Sequence, residues 1–331
     1  MALTLAEAKV GYADKVEQNV IDEFRRSSIL LDKLTFDDTI SPTGGSNLVY
    51  GYQRLETPST AAVRQINSEY SPNEAKRTKC TASPVILGGS FKIDRVIAQT
   101  SGAINEMNFK IKEKTKAGAN YFHNLVINGT SASTGTGYVP NTFDGLKKIL
   151  TGKSTEMTTD IDISTSALLD SNYNALLDEL DTFIALLAAK PDVLMMNSKM
   201  LTKVKSAARR AGYYDRNKDD FGRTVETYNG IILMDAGQYY NGSTTEDVVS
   251  TSTPGSDTYG TTDIYAAKLG LDAFHGISVD GSKMLKTYLP DLQAPGAVKT
   301  GEVELIAGAV LKNSKMAGVL KGIKLLGKKT A

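Results

Sequence analysis

The sequence has one cysteine, two histidines and almost no net charge, and each of these scarcities excludes a class of protein. The single thiol of Cys80 cannot build an internal disulfide framework or a multi-thiolate metal site, which fits a reducing compartment. Basic and acidic side chains number 38 and 37, so a phosphate-neutralising, nucleic-acid-binding face is not the first expectation. No run of about 18 apolar residues and no secretory leader occurs, so we expect neither a membrane span nor secretion by that route.

What is present is the composition of an ordinary globular protein, with 41% hydrophobic and 23% charged residues. A chain of 331 residues is long enough for one large domain or two ordinary ones. Apolar residues at helical spacing predict an amphipathic helix over 13–34. A proline and paired glycines then break the pattern before a β-prone run that begins near Leu48.

A long polar stretch follows this first strand. Residues 57–84 contain three prolines and few side chains suited to a core, and they lead to a second β-prone run, "VILGGSFKI" (85–93). We interpret residues 46–93 as a hairpin-like excursion from the body of the protein. A loop of this length within a compact domain is usually functional or disordered.

The next segment predicts an unusually long helix. From Asp94 the spacing of apolar residues indicates about 28 helical residues, or about 42 Å. Asn128 and Gly129 are suited to the left-handed conformation that ends helices. The remainder alternates predicted helices (166–189 and 198–212) with predicted strands (191–197 and 230–237) and a strand-like run (264–279), which is typical of an α/β or α+β domain.

The segment "TGKST" (151–155) imitates the end of a phosphate-binding loop. That motif needs a further glycine where this chain has Lys147, and it needs a preceding strand where this chain reads as helix. We therefore interpret Lys153 as a solvated loop residue.

The segment "DRNKDDFGRTVE" (215–226) resembles a calcium loop in the placement of four oxygen-bearing side chains. The position that requires glycine for a sharp turn is Asp220, and the following element reads as a strand. A solvated turn is the favoured interpretation. The four positions concerned are Asp215, Asn217, Asp219 and Glu226.

No catalytic, cofactor or metal site is indicated by local sequence. His123 and His275 have no Cys, Asp or Glu at metal-ligand spacing, and no nucleophile-elbow motif occurs. The acidic pairs Asp37–Asp38 and Asp178–Glu179 are interpreted as exposed charges. An enzyme that uses distant carboxylates would leave no linear trace, so an α/β hydrolase or transferase of that kind remains an alternative.

The order of these parts resembles the major capsid proteins of tailed bacteriophages, which share the Hong Kong 97-type fold. The short aromatic-Gly-Leu signal of that family, which follows a Gly-rich link at the end of its spine helix, is matched by Phe143, Gly145 and Leu146. We therefore interpret 127–146 as a covalent joint between spine and axial domain and not as a phosphate cradle. Further matches are "YQRLETPSTAAVRQINSEY", "PDVLMMNSKMLTKVKSAAR", "YNGIILMDAG" and "LKNSKMAGVLKGIKL".

The resemblance implies an α+β, Hong Kong 97-like capsid fold. Its expected parts are an N-terminal arm (1–45), an extended β-hairpin loop (46–93), the spine helix of a peripheral domain (94–134), an axial α/β domain (135–274), return strands of the peripheral domain (275–303) and C-terminal strands completing the axial domain (304–331).

The same resemblance implies a structural function. The expected role is a major capsid protein that assembles into hexamers and pentamers in the bacterial cytoplasm and encloses double-stranded DNA in the virion without sequence-specific binding. Expected partners are a separate scaffolding protein, a portal and a decoration protein. Arg54, Arg64 and Glu69 are the candidate residues for charged contacts between subunits. An encapsulin-like nanocompartment shell is the alternative within this fold.

Overall fold

The computed structural model describes residues 29–39, 49–94, 103–131, 142–212, 215–218, 224–279 and 285–329. The helices of these ranges are α1 (Ile29–Lys33), α2 (Ala103–Asn128), α3 (Leu146–Leu150), α4 (Ser166–Ala185) and α5 (Ser198–Ala211). Among them, none is both long enough and apolar enough to cross a bilayer.

The strands form one five-stranded sheet, one seven-stranded sheet and two small two-stranded ribbons. In chain order they are β1 (Phe36–Asp38), β2 (Tyr50–Thr57), β3 (Lys76–Ala82), β4 (Val85–Asp94), β5 (Glu156–Thr158), β6 (Val193–Met196), β7 (Asp215–Lys218), β8 (Thr224–Tyr228), β9 (Ile231–Asp235), β10 (Gln238–Tyr240), β11 (Thr245–Asp247), β12 (Gly260–Ala267), β13 (Phe274–Ser278), β14 (Leu285–Tyr288), β15 (Val298–Leu311) and β16 (Ala317–Leu326).

The five-stranded sheet is built around β15. This strand pairs with β4 along one edge and with β13 and β14 along the other, all antiparallel, while β1 adds to β13 in parallel. Along β4 the odd-numbered residues are buried or half-buried and the even-numbered ones are exposed up to Lys92, the alternation of a sheet covered on one face. The covering element is α2, whose Lys114 side chain lies against Gly89.

The long α2 confirms the predicted spine helix. It is 26 residues long and ends at Asn128, as the sequence indicates. Met107, Ile111, Phe122 and Leu125 are buried on one face, as predicted from their spacing. The described helix begins at Ala103, in agreement with the predicted length, and Asp94 is the last residue of β4.

The seven-stranded sheet has the order β5–β16–β12–β6–β9–β8–β7. Its central strand β6 is buried throughout, with Leu194 and Met196 in one apolar cluster and Val193 and Met195 in another. The first cluster contains α4 and α5. The second is continuous with the core under the spine helix, so this sheet is covered on both faces.

Asn197 joins the strand β6 to the helix α5. Its Oδ1 accepts the Met200 backbone N–H at 2.8 Å, which caps the helix, while its Nδ2 donates to the Val249 carbonyl and to Thr262 Oγ1. Every polar atom of this buried amide is therefore used. At its other end, α5 stops at Gly212 in the left-handed conformation.

The Gly-rich segment after the spine helix closes at its base. The backbone N–H of Gly145 donates to the Gly129 carbonyl at 2.9 Å, so the two ends of the segment meet. Phe143 then packs on the spine, its ring centroid 5.9 Å from that of Phe122. Asp144 accepts from Ser131 and Lys148, and these bonds outweigh burial and hold its pKa below the usual range. The two ends of the predicted joint are therefore held together, and its residues 132–141 lie outside the described residues.

Three expectations need correction or fall outside the described residues. The helix predicted over 13–34 is described only at its end, as α1. The apolar run 264–279 is two strands, because a turn around Gly270 sends β12 to the seven-stranded sheet and β13 to the five-stranded one. Residues 304–311 pair within the five-stranded sheet as part of β15, and β16 pairs in the seven-stranded sheet. The domain boundaries as such stay predictions.

Candidate functional site

A two-stranded hairpin projects from the five-stranded sheet. Its strands β2 and β3 pair with each other in antiparallel register, from Tyr50 opposite Ala82 to Thr57 opposite Lys76. The strand that returns the excursion is therefore the polar "KRTKCTA". The run "VILGGSFKI", which the sequence indicated as the second strand, instead pairs with β15 in the body.

The tip of this hairpin is exposed at every side chain from residue 58 to residue 75. Val63 is 101% exposed and Ile66 92%, so both project fully into solvent, and Leu55 and Tyr70 are more than half exposed. Single exposed apolar side chains are normal, but several on one projecting loop mark a surface suited to a partner.

Arg64 and Glu69 lie at the tip, as the sequence places them. Arg64 Nη1 donates to the Ser68 carbonyl at 3.2 Å, and its guanidinium carbon lies 5.6 Å from the Tyr70 ring centroid. These contacts stabilise a turn around Asn67, which has a left-handed φ of 68°. Glu69 is exposed and makes no hydrogen bond or ion pair with any described residue. Their role at a subunit interface stays a prediction.

Arg54 belongs to the base of the hairpin. Its Nε donates to the Lys312 carbonyl at 2.9 Å and its Nη2 donates to the Leu311 carbonyl at 2.8 Å. The planar guanidinium thus holds two consecutive carbonyls at the end of β15. Within the single chain Arg54 anchors the hairpin to its own body, and its predicted interface role stays a prediction.

Two tyrosines complete this anchor, which consists of Tyr50, Tyr52 and Arg54. These alternate residues of β2 share one face of the strand because side chains alternate with a period of two. Tyr50 Oη donates to Asp37 Oδ2 at 2.6 Å, and Tyr52 Oη donates to the Leu311 carbonyl at 3.5 Å. The sequence-based interpretation of Asp37 and Asp38 as exposed charges is therefore wrong for Asp37. This residue is half-buried and holds the hairpin.

The anchor keeps its phenols protonated. Burial raises the pKa of Tyr50, and the hydrogen bond to Asp37 raises it further. Burial also raises the pKa of Tyr52, although the Arg54 charge opposes the change. Both groups therefore remain hydrogen-bond donors over the whole ordinary pH range.

Replacing Arg54 by Met is expected to loosen the hairpin base without unfolding the body. The change leaves two carbonyls without their charged donor, which costs about 2 kcal/mol locally. Hydrogen exchange measured by mass spectrometry should therefore show faster exchange in β2 and β3. Arg64→Met is the matched control, since Arg64 bonds only within the exposed tip. Equal exchange at the base in both variants would contradict the anchoring role.

A cavity of about 510 Å³ lies between the hairpin base, the end of β15 and the start of α3. Arg54, Asp144, Lys153 and Leu311 are among its lining residues. Lys153 follows the helix α3, and its backbone N–H donates to the Leu150 carbonyl. A helix therefore precedes "TGKST" where a phosphate-binding loop needs a strand, as the sequence indicates.

The calcium-loop candidate takes the form of a β-hairpin. Asp215 and Glu226 lie on the paired strands β7 and β8, with Arg216 opposite Glu226. Glu226 forms an ion pair with Lys205 of α5. Residues 219–223, which include Asp219 and Asp220, lie outside the described residues. In the ranges that are described, no group of three His, Cys, Asp or Glu side chains is arranged to hold a metal ion.

The anchor is the functional feature that sequence reasoning missed. The alternation in "YGYQR" predicts that the two tyrosines and the arginine share one face of β2. The acceptors of Arg54 are backbone carbonyls 257 and 258 positions away, and a carbonyl leaves no trace in side-chain patterns.

This arrangement is the Hong Kong 97-type capsid fold, an α+β fold with a spine helix over a sheet, a projecting hairpin and an axial α/β unit. No protein family matches the sequence, and no curated protein matches it either. Solved structures match in fold over about nine tenths of the chain.

Three of these structures illustrate the range of proteins with this fold. The holo-SrpI encapsulin complex of Synechococcus elongatus PCC 7942 matches at 12% identity, with 91% of this chain and 89% of that chain covered and a TM-score of 0.60. A structure from Mycobacterium phage Bobi matches at 13% identity, 89% and 90% coverage and a TM-score of 0.55. The capsid of a native GTA particle matches at 13% identity, 90% coverage of both chains and a TM-score of 0.54.

Proposed function

We propose that this chain is a major capsid protein that self-assembles into the closed shell of a tailed bacteriophage around double-stranded DNA. The observation that carries the proposal is the hairpin, which is anchored only at its base and exposes an apolar, charged tip. A tip that projects from the rest of the described subunit has a physical role once a second copy lies beneath it. Closed symmetric shells need such head-to-tail contacts.

A second copy offers a suitable surface on its five-stranded sheet. The face turned away from the spine helix exposes Ile86, Tyr288 and Val298, each more than half exposed. Glu302 lies on the same face of β15 as Val298 and is exposed. The hairpin strand β3 carries Lys76, Arg77 and Lys79, so charge and apolar character are complementary.

Each such contact is weak by itself. An exposed ion pair contributes about 1 kcal/mol or less. Repetition around hexamers and pentamers increases the total stabilisation. Once some contacts of a closed ring have formed, the remaining ones form between subunits that are already held together. Arg64 and Glu69, at the tip, are the residues we assign to such contacts. A separate scaffolding protein, a portal and a decoration protein are the partners that we propose for assembly in the bacterial cytoplasm.

We further propose a structural role and not a catalytic one. The buried or half-buried polar groups of the anchor and of Asn197 bond to backbone carbonyls and capping positions of their own chain, which is the use of polar groups that stabilises a scaffold.

An encapsulin-like nanocompartment is the second candidate. The similarity to the SrpI encapsulin complex favours it, since that shell has the same fold. The two candidates differ in content, because a phage shell holds a genome and a nanocompartment holds protein.

The test is negative-stain electron microscopy with light scattering on the purified protein, with and without its candidate scaffolding protein. Closed shells or capsomer rings are expected. Nuclease-protected double-stranded DNA inside particles from infected cells would support the phage shell, and co-purified protein cargo would support the nanocompartment. A monodisperse small oligomer under all conditions would contradict both and favour the enzyme with dispersed carboxylates.

Limited proteolysis gives an independent prediction. Trypsin is expected to cleave the unassembled subunit after Arg64, because this residue lies in an exposed loop outside any strand. Assembled shells should be protected at the same bond, which mass spectrometry of the fragments would detect. Arg64→Gln removes the site and identifies the fragment. Equal cleavage rates before and after assembly would show that the tip does not contact a neighbour.

A further inference from the structure

His275 is a buried imidazole whose two ring nitrogens lack a well-formed hydrogen bond within the part of the chain that the structure describes. It lies on β13 with 0% of its surface exposed, and neither Nδ1 nor Nε2 meets hydrogen-bond geometry with any residue that the structure describes. Buried polar atoms are nearly always paired, and leaving them unpaired costs about 1–3 kcal/mol each. The buried His275 ring therefore needs an explanation.

The position is the point where the hairpin joins the body. The His275 ring packs edge-on against Tyr50, the first residue of β2, with ring centroids 5.7 Å apart. Tyr50 is bonded to Asp37 of β1, and the Lys312 ammonium lies 5.4 Å from the Tyr50 ring centroid. Asp272, just before β13, is the remaining charged group that acts on the imidazole.

These neighbours suit a neutral ring and not a charged one. A neutral imidazole packs under Tyr50 as an aromatic side chain does. An imidazolium would be held in a buried site near the positive charge of Lys312, and the Ala273 carbonyl beside it does not offset this cost. The same site therefore stabilises the hairpin base in one protonation state and disrupts it in the other.

We propose that His275 is an acid-sensitive latch of the hairpin: protonation of its ring releases Tyr50, and the hairpin base separates from the body. At neutral pH the hairpin is seated. At mildly acidic pH the hairpin base separates from β13, while the rest of the subunit stays folded. The latch acts within a single chain, so it can be tested on the unassembled subunit and does not depend on the proposed shell.

The direction of the pH dependence follows from the surroundings of the ring. Burial lowers the pKa of His275, and Lys312 lowers it further, while Asp37, Asp272 and the Ala273 backbone oppose the change without cancelling it. A released ring is hydrated and has the ordinary value of about 6.5. The packed hairpin therefore loses stability as the pH falls below the pKa of the released ring. The loss is complete once the pH is below the lowered pKa of the buried ring.

The chain provides its own control, because it contains only two histidines. Burial lowers the pKa of His123 to about 4, so His123 remains neutral while a released His275 titrates. A release at mildly acidic pH is therefore assignable to His275.

The experiment is hydrogen exchange of the unassembled subunit between about pH 8 and about pH 5, corrected for the intrinsic pH dependence of exchange. In the wild type, protection of β2 and β3 should fall several-fold on acidification while that of β6 stays constant. His275→Phe should abolish the fall, and His123→Gln should keep it. His275→Gln replaces the first variant if Phe does not fold, and the imidazole C–H proton shifts of the wild type report the titration directly.

Three results would overturn the proposal. The first is an unchanged acid response in both His275 variants, the second is its loss in His123→Gln, and the third is a wild-type hairpin whose protection does not depend on pH in this range.

Discussion

Shortening the hairpin to its anchored base is expected to abolish shell formation and to leave the subunit folded. The variant removes residues 58–75 and joins Thr57 to Lys76 through Asn-Gly. These two residues are paired in the native register, so a two-residue turn can connect them. The removed side chains are all exposed, so the free energy of unfolding should change by no more than about 0.5 kcal/mol.

Assembly is expected to fail because the same contact is lost at every interface between subunits. Each subunit of a shell would lose the contacts of Val63 and Ile66 with its neighbour, and the deficit recurs at every interface. Size-exclusion chromatography with light scattering and electron microscopy would measure assembly, while thermal unfolding would report the fold. A variant with Ser at Val63, Ile66 and Tyr70 keeps the loop length and isolates the part played by apolar side chains. Intact shells from the shortened chain would contradict the assembly role of the tip.

Gly145→Ala is expected to destabilise the subunit by about 3 kcal/mol, at the upper end of the range for overpacking. A Cβ atom at this position would lie 2.6 Å from the carbonyl oxygens of Leu125 and Ile127 and 2.7 Å from the Gly129 nitrogen. All three obstacles are backbone atoms, so no side chain can rotate away. The strain would also break the Gly145–Gly129 hydrogen bond that clips the loop.

Gly118→Ala is the matched control for this prediction. Gly118 lies inside the spine helix, and an added Cβ would meet no atom within 4 Å. The same substitution should therefore stabilise the protein by about 1 kcal/mol, because Ala favours the helix. Denaturant unfolding would measure both changes. A midpoint of Gly145→Ala equal to that of the wild type would show that the two backbone segments can separate without loss.

The elements with strong local signals could be predicted from the sequence. The spine helix follows from apolar spacing over many turns, and its end at Asn128 follows from the residue types there. Strands β6 and β9 follow from short apolar runs, and helices α4 and α5 follow from apolar residues at helical spacing. In each case the information lies within about 20 residues of chain.

The pairing of strands could not be predicted in the same way. β3 is a polar strand without a buried face, so no hydrophobic pattern marks it, and the sequence pattern favours the apolar β4 as the partner of β2. β4 is apolar because it lies under the spine helix, beside β15. Which strands pair is decided by contacts between distant segments, and single-sequence patterns do not contain them.

The residues of the candidate site also differ in whether local sequence or distant contacts determine their surroundings. Arg64 and Glu69 lie on an exposed tip, as their polar surroundings indicate. Arg54 has the same charge and a similar setting in the sequence, yet it bonds to carbonyls at the far end of the chain. His275 looked like an ordinary structural histidine, because its missing partners become visible only when the surrounding elements are in place.

The two late strands β15 and β16 determine when the protein can fold during its synthesis. β15 is the strand on which β4, β13 and β14 assemble, and β16 lies between β5 and β12 in the other sheet. Neither sheet can therefore close until residues 298–326 have left the ribosome, while the spine helix and the hairpin emerge much earlier. A nascent chain thus exposes its apolar spine face until β15 and β16 have been synthesised, which makes chaperone binding on the ribosome an expected step before that point.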